Sequence, residues 1–204
     1  GLSEGKGLMD PVCGSGTFLF EGWMILANQA PNLNRSFAFQ NWRDFDEPLF
    51  QRERAALAAG ARLDGGWRCR GCEISPQAAG LAEAIRQKHF PEADIRIENQ
   101  PFQDCTHALP GALMAANPPY GERLGSGEDL GRLYRELGMA ARRLVPGGRL
   151  AVFTTNRPAA RQIPLKGEPA LTLYNGSLEG LLFRYTVHQR EPGISLPGPS
   201  GKSG

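Results

Sequence analysis

Cysteine is scarce in this sequence, with only Cys13, Cys69, Cys72 and Cys105 among 204 residues. So few thiols, so widely spaced, exclude the disulfide framework of a small secreted protein. Cys69 and Cys72 have the spacing of a zinc knuckle, but no second pair of ligands accompanies them and they lie in a predicted strand. The three histidines are isolated from one another in sequence. We therefore predict that the chain binds no metal.

Long apolar runs and a strong charge imbalance are also missing. No apolar run approaches the roughly 18 residues that span a bilayer, and the first residues do not resemble a signal peptide. We therefore predict no membrane association and a cytoplasmic location. The net charge of +2 and the pI near 8.5 are weakly basic, whereas a chain that holds RNA unaided usually has a strong positive patch. If RNA is the partner, another module is expected to help bind it.

Strand and helix patterns alternate along most of the chain. Predicted strands span residues 7–12, 67–74, 93–98, 112–116 and 149–155, and predicted helices span 17–29, 76–89 and 129–145. Two later β-rich runs, 170–174 and 180–188, can close the sheet as a hairpin around Asn175 and Gly176. This alternation predicts a doubly wound α/β sheet, in which ligands bind at the carboxyl ends of the strands near the switch point.

One folded domain is expected over residues 1–190. An insertion at about 32–65 interrupts the alternation, with an aromatic-rich segment, Phe37–Trp42, before a helical pattern over Glu47–Arg62. Residues 191–204 are dominated by Pro, Gly and Ser without periodicity, which predicts a disordered tail.

A glycine-containing motif, Asp10-Pro-Val-Cys-Gly-Ser-Gly-Thr17, lies where the first strand must turn into the first helix. Gly14 and Gly16 let the backbone approach a ligand with no Cβ in the way. The lysine of a P-loop is absent, and the spacing is not that of the dinucleotide fingerprint. A carboxylate just before the turn suits the cationic amino end of S-adenosylmethionine better than a pyrophosphate. The alternative is a plain tight turn with Asp10 as a cap.

Glu73 lies at the end of the second predicted strand, and Ile74 follows it before the next helix opens. An acidic side chain at this place accepts hydrogen bonds from ribose hydroxyls in nucleotide-binding folds. The alternative is an acid favoured by the dipole at a helix N-terminus.

The tetrapeptide Asn117-Pro-Pro-Tyr120 follows the short apolar segment 112–116. An exocyclic amine on a base attacks a methyl donor poorly, because its lone pair is delocalised into the ring. The side-chain oxygen of Asn117 and the carbonyl of Pro118 could each accept one N–H, which favours a pyramidal nitrogen. Two prolines would hold these acceptors rigid, and Tyr120 would stack on the base. The alternative is a rigid turn after a strand.

Taken together, these motifs resemble the catalytic domain of bacterial 23S ribosomal RNA guanine-N2 methyltransferases of the RlmL type. The resemblance covers most of the chain, and the motifs in its middle and late parts are more selective than the glycine motif. The segments that carry it are 10–17, 30–35 with 37–42, 117–124, 133–138 and 174–179.

The resemblance implies a class I S-adenosylmethionine-dependent, Rossmann-like fold with a seven-stranded, mostly parallel sheet. It implies methyl transfer from S-adenosylmethionine to the N2 amine of a guanine in 23S ribosomal RNA, with no metal required. The implied catalytic residues are Asn117, Pro118 and Tyr120. The implied cofactor-binding residues are Asp10, Cys13, Gly14, Gly16, Glu73, Ile74, Phe102, Asp104 and Asn117.

Two features depart from the family pattern. Related enzymes commonly place an Asp after strand three to bind the adenine amine, whereas this chain reads Asn99-Gln-Pro-Phe-Gln-Asp104, so the acid is missing or displaced to Asp104. The chain also begins almost at strand one, without the RNA-binding THUMP domain that the resemblance implies as a partner. We therefore expect a piece of a longer protein.

RNA contact would fall on the insertion aromatics Phe37, Phe39 and Trp42 and on basic side chains in and shortly before the helix predicted at 129–145. The alternatives are apolar packing of the insertion against the sheet and a solvated helix face with local ion pairs. The candidate arginines are Arg123, Arg132, Arg135, Arg142 and Arg143.

Three other functions remain open on the sequence alone. A DNA adenine-N6 methyltransferase and a protein glutamine-N5 methyltransferase could use the same Asn-Pro-Pro-Tyr chemistry. A cofactor-binding RNA module without turnover is the non-enzymatic alternative.

Overall fold

The computed structural model describes residues 2, 7–63, 65–119, 127–176 and 178–189. In these residues the strands form one seven-stranded sheet in the order β3-β2-β1-β4-β5-β7-β6. All neighbours pair in parallel except those of β7, which runs antiparallel to both β5 and β6. The predicted seven-stranded, mostly parallel sheet is confirmed. The strands are β1 (Gly7–Asp10), β2 (Arg68–Cys72), β3 (Ile95–Glu98), β4 (Leu113–Ala116), β5 (Arg149–Thr154), β6 (Leu171–Asn175) and β7 (Leu178–Thr186).

Three of the helices, α2, α3 and α5, begin at a residue whose side chain caps the first turn. Ser75 caps α3 by accepting the Ala78 N–H at 3.4 Å, and Pro76 occupies the first turn, where its missing N–H costs nothing. A short helix after β5 was not predicted; Asn156 caps it by accepting the Ala159 N–H at 2.9 Å. The helices are α1 (Thr17–Leu26), α2 (Glu47–Ala59), α3 (Pro76–His89), α4 (Gly127–Leu144) and α5 (Arg157–Ala160), with a 3-10 helix at Ala38–Asn41.

After β1 the chain adds β2 and β3 on one side of β1 and then crosses over to place β4 on its other side. From β1 it builds β2 and then β3, and the next strand pairs with the free edge of β1. The carboxyl ends of β1 and β4 therefore form the switch point, where an open α/β sheet leaves a crevice. The order of the strands thus fixes where a ligand can bind.

Each face of the sheet carries its own apolar core. Met9 and Met114 pack with Leu137 and Leu150 on the face that α4 covers, whereas Leu8 packs with Leu19 of α1 on the other. The split between Leu8 and Met9 follows from the two-residue period of a strand. The two faces are therefore both buried, as expected for parallel strands with helices on each side.

The insertion packs its aromatic side chains mainly against one another. The Phe39 ring centroid lies 5.3 Å from that of Phe37, 6.4 Å from Trp42 and 5.7 Å from Phe50. No residue of α2 or of the 3-10 helix is buried. Trp42 is 68% exposed, whereas Phe37, Phe39 and Phe50 are partly buried, and contact of the insertion with RNA stays a prediction.

No helix in the described part of the chain combines the length and apolar character needed to cross a membrane. The predicted tail at 191–204 lies outside the described residues.

Candidate active site

A cavity of about 550 Å³ opens at the carboxyl edge of the sheet. Its wall contains residues within two positions of the end of each of the first four strands, together with one side of α4. The volume lies in the range of small-molecule sites, and the position is the switch point of the sheet. The lining residues are Pro11, Val12, Glu73, Ile74, Gln100, Pro101, Phe102, Gln103, Asn117, Pro119, Arg132, Leu133 and Glu136.

The glycine turn between β1 and α1 has the backbone that the sequence predicted. Gly14 and Gly16 have φ angles of 55° and 86°, in the left-handed region that side chains disfavour. A Cβ at Gly14 would meet nothing within 4 Å, whereas one at Gly16 would lie 2.6 Å from the Phe20 ring. Gly16 is therefore required by packing against α1, while the space at Gly14 is open to a ligand.

Glu73 is held by backbone N–H groups on both sides. Its Oε2 accepts from Gly14 N at 2.8 Å, and its Oε1 accepts from Ser75 N at 2.8 Å. Asn99 Nδ2 also donates to the Glu73 carbonyl at 2.8 Å. A carboxylate offers about four acceptor sites, so each oxygen keeps one lone pair for a ligand. The carboxylate is thus oriented before any ligand arrives.

Two apolar side chains accompany Glu73 in the cavity wall. Ile74 is 71% exposed, and Phe102 is 4% exposed and belongs to the core on the α4 face. An apolar wall beside an oriented carboxylate suits a planar base joined to a sugar.

Asp10 lies behind the cavity wall, and its carboxyl is only 3% exposed. Burial raises the pKa of Asp10 to about 7; the hydrogen bond from Val12 N opposes this and the nearby Glu73 charge adds to it. Cys13 is also buried, and burial raises the pKa of its thiol to about 12, so it stays neutral. A cation bound beside Asp10 would lower this pKa and favour the ionised carboxylate.

The Asn-Pro-Pro-Tyr motif begins directly after β4. Asn117 and Pro119 line the cavity, and Pro118 between them is buried. Tyr120 lies outside the described residues. The structure therefore brings Glu73, Ile74, Phe102 and Asn117 into one cavity. It places Asp10, Cys13, Gly14, Gly16 and Pro118 in the adjoining turns rather than in the cavity wall.

The loop after β3 contributes residues that sequence reasoning passed over. Gln100 lines the cavity and donates to Glu98 Oε2 at 2.6 Å, and Gln103 donates to Glu136 Oε2 on α4 at 2.6 Å. Asp104 is exposed and is not among the lining residues. The position of Gln100, two residues past the end of β3, could have indicated that it lines the cavity. For Glu136 of α4, no local sequence pattern indicates this.

The candidate RNA-binding arginines of α4 make contacts within the protein. Arg132 pairs with Glu136 at 3.3 Å, and Arg135 donates to Gln162 Oε1 at 3.1 Å. Arg142 and Arg143 donate to backbone carbonyls. These contacts favour the alternative of a helix face with local pairs. Arg123 lies outside the described residues.

Comparison with known proteins gives a consistent result. The family model described as RMKL-like, methyltransferase domain, matches residues 1–182. The ribosomal RNA large subunit methyltransferase K/L of Allochromatium vinosum is 36% identical over 205 residues, which cover 97% of this chain and 28% of that protein. Its counterpart from Cellvibrio japonicus is 33% identical over 91% of this chain and 26% of its own length. The chain therefore spans little more than a quarter of these relatives.

Several solved structures of methyltransferases are similar to this chain. The crystal structure of SMU.472 complexed with SAH superposes with a TM-score of 0.82 at 30% identity, covering 91% of this chain and 49% of that one. A protein from Listeria monocytogenes, named as a predicted N6-adenine-specific DNA methylase, gives a TM-score of 0.78 at 27% identity over 89% of this chain and 47% of its own. With its class I methyltransferase fold and a family model that matches most of its length, the chain belongs to the RMKL-like methyltransferase domain family.

Proposed function

We propose that this domain transfers the methyl group of S-adenosylmethionine to the N2 amine of a guanine in 23S ribosomal RNA. One observation carries the proposal. Glu73, at the end of β2, and Asn117, at the end of β4, line the same cavity, next to the open glycine turn. An acceptor for ribose hydroxyls and an acceptor for an amine are thus held in one site. The names of the relatives, ribosomal RNA large subunit methyltransferase K/L, support the choice of substrate.

The cofactor would lie along the carboxyl edge of the sheet. Its ribose hydroxyls would donate to the free lone pairs of Glu73, and its adenine would lie against Ile74 and Phe102. Its methionine end would reach the glycine turn, where the ionised Asp10 carboxylate would attract the cationic amino group from just behind the cavity wall. The complex of SMU.472 with SAH is consistent with a cofactor of this class.

Asn117 would supply the catalytic contact with the base. Its side-chain oxygen, together with the Pro118 carbonyl, would accept the two N–H groups of the guanine amine and localise the nitrogen lone pair. The lone pair forms the new N–C bond while the methyl C–S bond breaks, which leaves a neutral thioether. The nitrogen then loses one proton to solvent. The guanine has to leave its helix, because a stacked base cannot reach the methyl group in line.

The RNA would be held mainly by parts of the protein beyond this domain. The net charge of +2 gives weak electrostatic attraction to phosphate, and the α4 arginines have partners within the protein. An RNA-binding THUMP domain would supply the missing affinity, and the reaction would take place in the cytoplasm, where ribosomal RNA is assembled.

A second candidate is methylation of adenine N6 in DNA. The likeness to the Listeria protein favours it, because that protein is named for this activity. Adenine N6 is also an exocyclic amine, so the Asn117 chemistry would serve equally well.

The decisive experiment identifies the methylated product. Deproteinised large-subunit RNA from a strain that lacks the enzyme is incubated with radiolabelled cofactor and the longest form of the protein, then digested to nucleosides. We expect the label in N2-methylguanosine at one position of 23S RNA. Duplex DNA and release factors serve as parallel substrates. Label in N6-methyladenine or in a glutamine, or cofactor binding without transfer to any of them, would refute the proposal.

A further inference from the structure

Behind the loop that follows β3, three potential metal ligands converge. The thiols of Cys72 and Cys105 and a carboxylate oxygen of Glu98 all lie within 4.8 Å of one another. None of these three residues lines the candidate cofactor cavity. The cluster is therefore a separate feature of the fold.

Sheet register and loop geometry create this cluster. Cys72 and Glu98 are the last residues of β2 and β3, and they are direct partners in the parallel ladder. The chain then turns back, and Cys105 N donates to Phe102 O at 3.3 Å. Arg143 of α4 holds the same turn through the carbonyls of Phe102 and Cys105. Cys105 is thereby fixed against the strand ends.

A fourth donor lies beside the carboxylate. Nδ1 of His107 is 2.5 Å from Glu98 Oε1, and Gln100 Nε2 holds the other carboxylate oxygen at 2.6 Å. Both thiols are 1% exposed, whereas the side chains of Glu98 and His107 are 25% and 45% exposed. The group is closed on the protein side and open to solvent on the other, so an ion could enter past the imidazole.

This donor set matches one metal in particular. Two thiolates, one imidazole and one carboxylate are the ligand types of zinc, with Zn–S near 2.3 Å and Zn–N or Zn–O near 2.0 Å. Tetrahedral geometry with those bond lengths separates ligand atoms by roughly 3.3–3.8 Å. The three atoms within 4.8 Å need to contract by about 1 Å or less. His107, whose ring nitrogens are not part of that group, has to turn from Glu98 toward the thiols to become the fourth ligand. Hard cations such as Mg²⁺ would reject the two thiols.

We propose that Cys72, Cys105, Glu98 and His107 bind one zinc ion that ties the β3 loop to the ends of β2 and β3. The loop residues from Gln100 to Gln103 line the cofactor cavity, so the ion would support the cavity wall from behind. The site is structural, since all four positions are taken by protein ligands and none is left for a substrate.

The prediction of no metal considered only Cys69 and Cys72 as a ligand pair. Cys69 and Cys72 have knuckle spacing, but they belong to cores on opposite faces of the sheet, so one ion cannot reach both. Cys72 instead meets Cys105, which is 33 positions away in sequence. Only the pairing of β2 with β3 reveals this ligand set.

Metal titration of the reduced, chelator-treated protein tests the proposal. We expect one Co²⁺ per chain with a thiolate charge-transfer band, and displacement of that band by one equivalent of Zn²⁺. Cys72→Ser and Cys105→Ser are expected to lower zinc affinity at least about a hundredfold, and Glu98→Gln and His107→Ala about tenfold or more, because changing even a hydrogen-bonding partner of a metal ligand typically costs about 10–100-fold. Cys69→Ser, a buried thiol on the other face, is the matched control and should bind as the unaltered chain does.

A readout that does not depend on the cysteine variants keeps the test decisive. Zinc should raise the melting temperature of the unaltered chain and of Cys69→Ser equally, and that of Glu98→Gln by less at the same zinc concentration. The half-buried side chain of Glu98 can be changed with little risk to folding. The proposal is overturned if the reduced chain retains no equimolar zinc. It is equally overturned if Glu98→Gln binds zinc as tightly as the unaltered chain. A third contrary outcome is a disulfide between Cys72 and Cys105, found by mass spectrometry, that persists when reductant and zinc are added.

Discussion

The backbone N–H of Gly14 donates a 2.8 Å hydrogen bond to Oε2 of Glu73, across 59 positions of sequence. This bond joins the glycine turn after β1 to the carboxylate after β2. Ser75 N holds the other oxygen at 2.8 Å, so the carboxylate cannot rotate away from the cavity. The two predicted cofactor-binding segments therefore form one preorganised unit, which lowers the entropy cost of binding a ligand.

Glu73→Gln is expected to weaken cofactor binding about ten- to a hundredfold. An amide removes the charge that strengthens the ribose hydrogen bonds, and it turns an NH₂ group toward one of the two backbone N–H donors. Charge-assisted hydrogen bonds contribute about 1.5–3 kcal/mol each, and 1.4 kcal/mol is about a tenfold change. Calorimetric titration with S-adenosylhomocysteine measures the effect. Glu83→Gln on α3, where the side chain pairs with Arg86, is the matched control and should leave the affinity unchanged.

Asp10→Asn is expected to stabilise the free protein at neutral and higher pH. Because burial raises the pKa of Asp10 from 3.8 to about 7, the folded state favours the protonated carboxyl. Below the unfolded pKa the carboxyl is protonated in both the folded and the unfolded state, so its burial costs no ionisation energy. The destabilisation of the folded state grows as the pH rises from 4 to 7 and is constant above. A shift of that size corresponds to on the order of 4 kcal/mol. Asn keeps an oxygen for the Val12 N–H.

Denaturant unfolding of both proteins at pH 4 and pH 8 checks this prediction. The variant should be more stable than the unaltered chain at pH 8, by on the order of 2–4 kcal/mol, and nearly equal to it at pH 4. An equal difference at both values would show that Asp10 is ionised without cost.

The same carboxyl should make cofactor binding depend on pH. If the ionised Asp10 faces the cationic amino group, affinity should fall as the pH drops below about 7, approaching tenfold per unit. In Asp10→Asn the affinity should be lower at pH 7 and nearly flat down to pH 5. A flat profile in the unaltered chain would place the amino group elsewhere.

Gln100→Ala is expected to weaken cofactor binding more than Asp104→Ala. The Gln100 amide nitrogen donates to Glu98, which leaves its carbonyl oxygen as the acceptor in the cavity wall that can receive the adenine amine. Asp104 is exposed and lies outside that wall. We expect a loss of about 1 kcal/mol, or roughly fivefold in affinity, for Gln100→Ala. The reverse ranking would restore Asp104 as the adenine-binding residue.

Local patterns were sufficient to predict the elements of the sheet. Apolar runs bounded by Gly and Pro gave all seven strands, and Pro11 ends β1 because it cannot donate to the ladder. Glu73 and Asn117 could be found because each is the polar residue that directly follows a buried strand. Their convergence follows from parallel strands alone, since the carboxyl ends of such strands share one edge.

Contacts set by packing could not be predicted from local pattern. Glu136 reaches the cavity from the middle of α4, and nothing in its neighbours distinguishes it from other surface acids. Arg143 was expected to contact RNA or to lie on a solvated helix face, yet it donates hydrogen bonds that hold the β3 loop. The family resemblance left the expected acid after β3 missing or displaced to Asp104, whereas in the structure Gln100 lines the cavity and Asp104 does not.

Arg143→Ala is expected to loosen the β3 loop. Its guanidinium donates to the carbonyls of Phe102 and Gln103 at 3.1 and 3.0 Å and also to that of Cys105. Because the side chain is exposed, the loss of unfolding free energy should be modest, about 1–2 kcal/mol. Hydrogen exchange of the loop amides should rise, and cofactor affinity should fall with it. Arg142→Ala, which removes a bond to the Pro164 carbonyl and none to the β3 loop, should change neither.

Asn117→Ala is expected to separate methyl transfer from cofactor binding. The side chain follows β4 and would contact the base rather than the ribose, so the affinity for S-adenosylhomocysteine should stay within about twofold. Removing one acceptor that acts on the developing charge of the amine should lower single-turnover methylation of 23S RNA about a hundredfold or more, as for other preorganised transition-state hydrogen bonds. Asn117→Asp retains an acceptor oxygen and should recover part of the rate. Unchanged methylation in Asn117→Ala, with label still in N2-methylguanosine, would remove this residue from the chemistry.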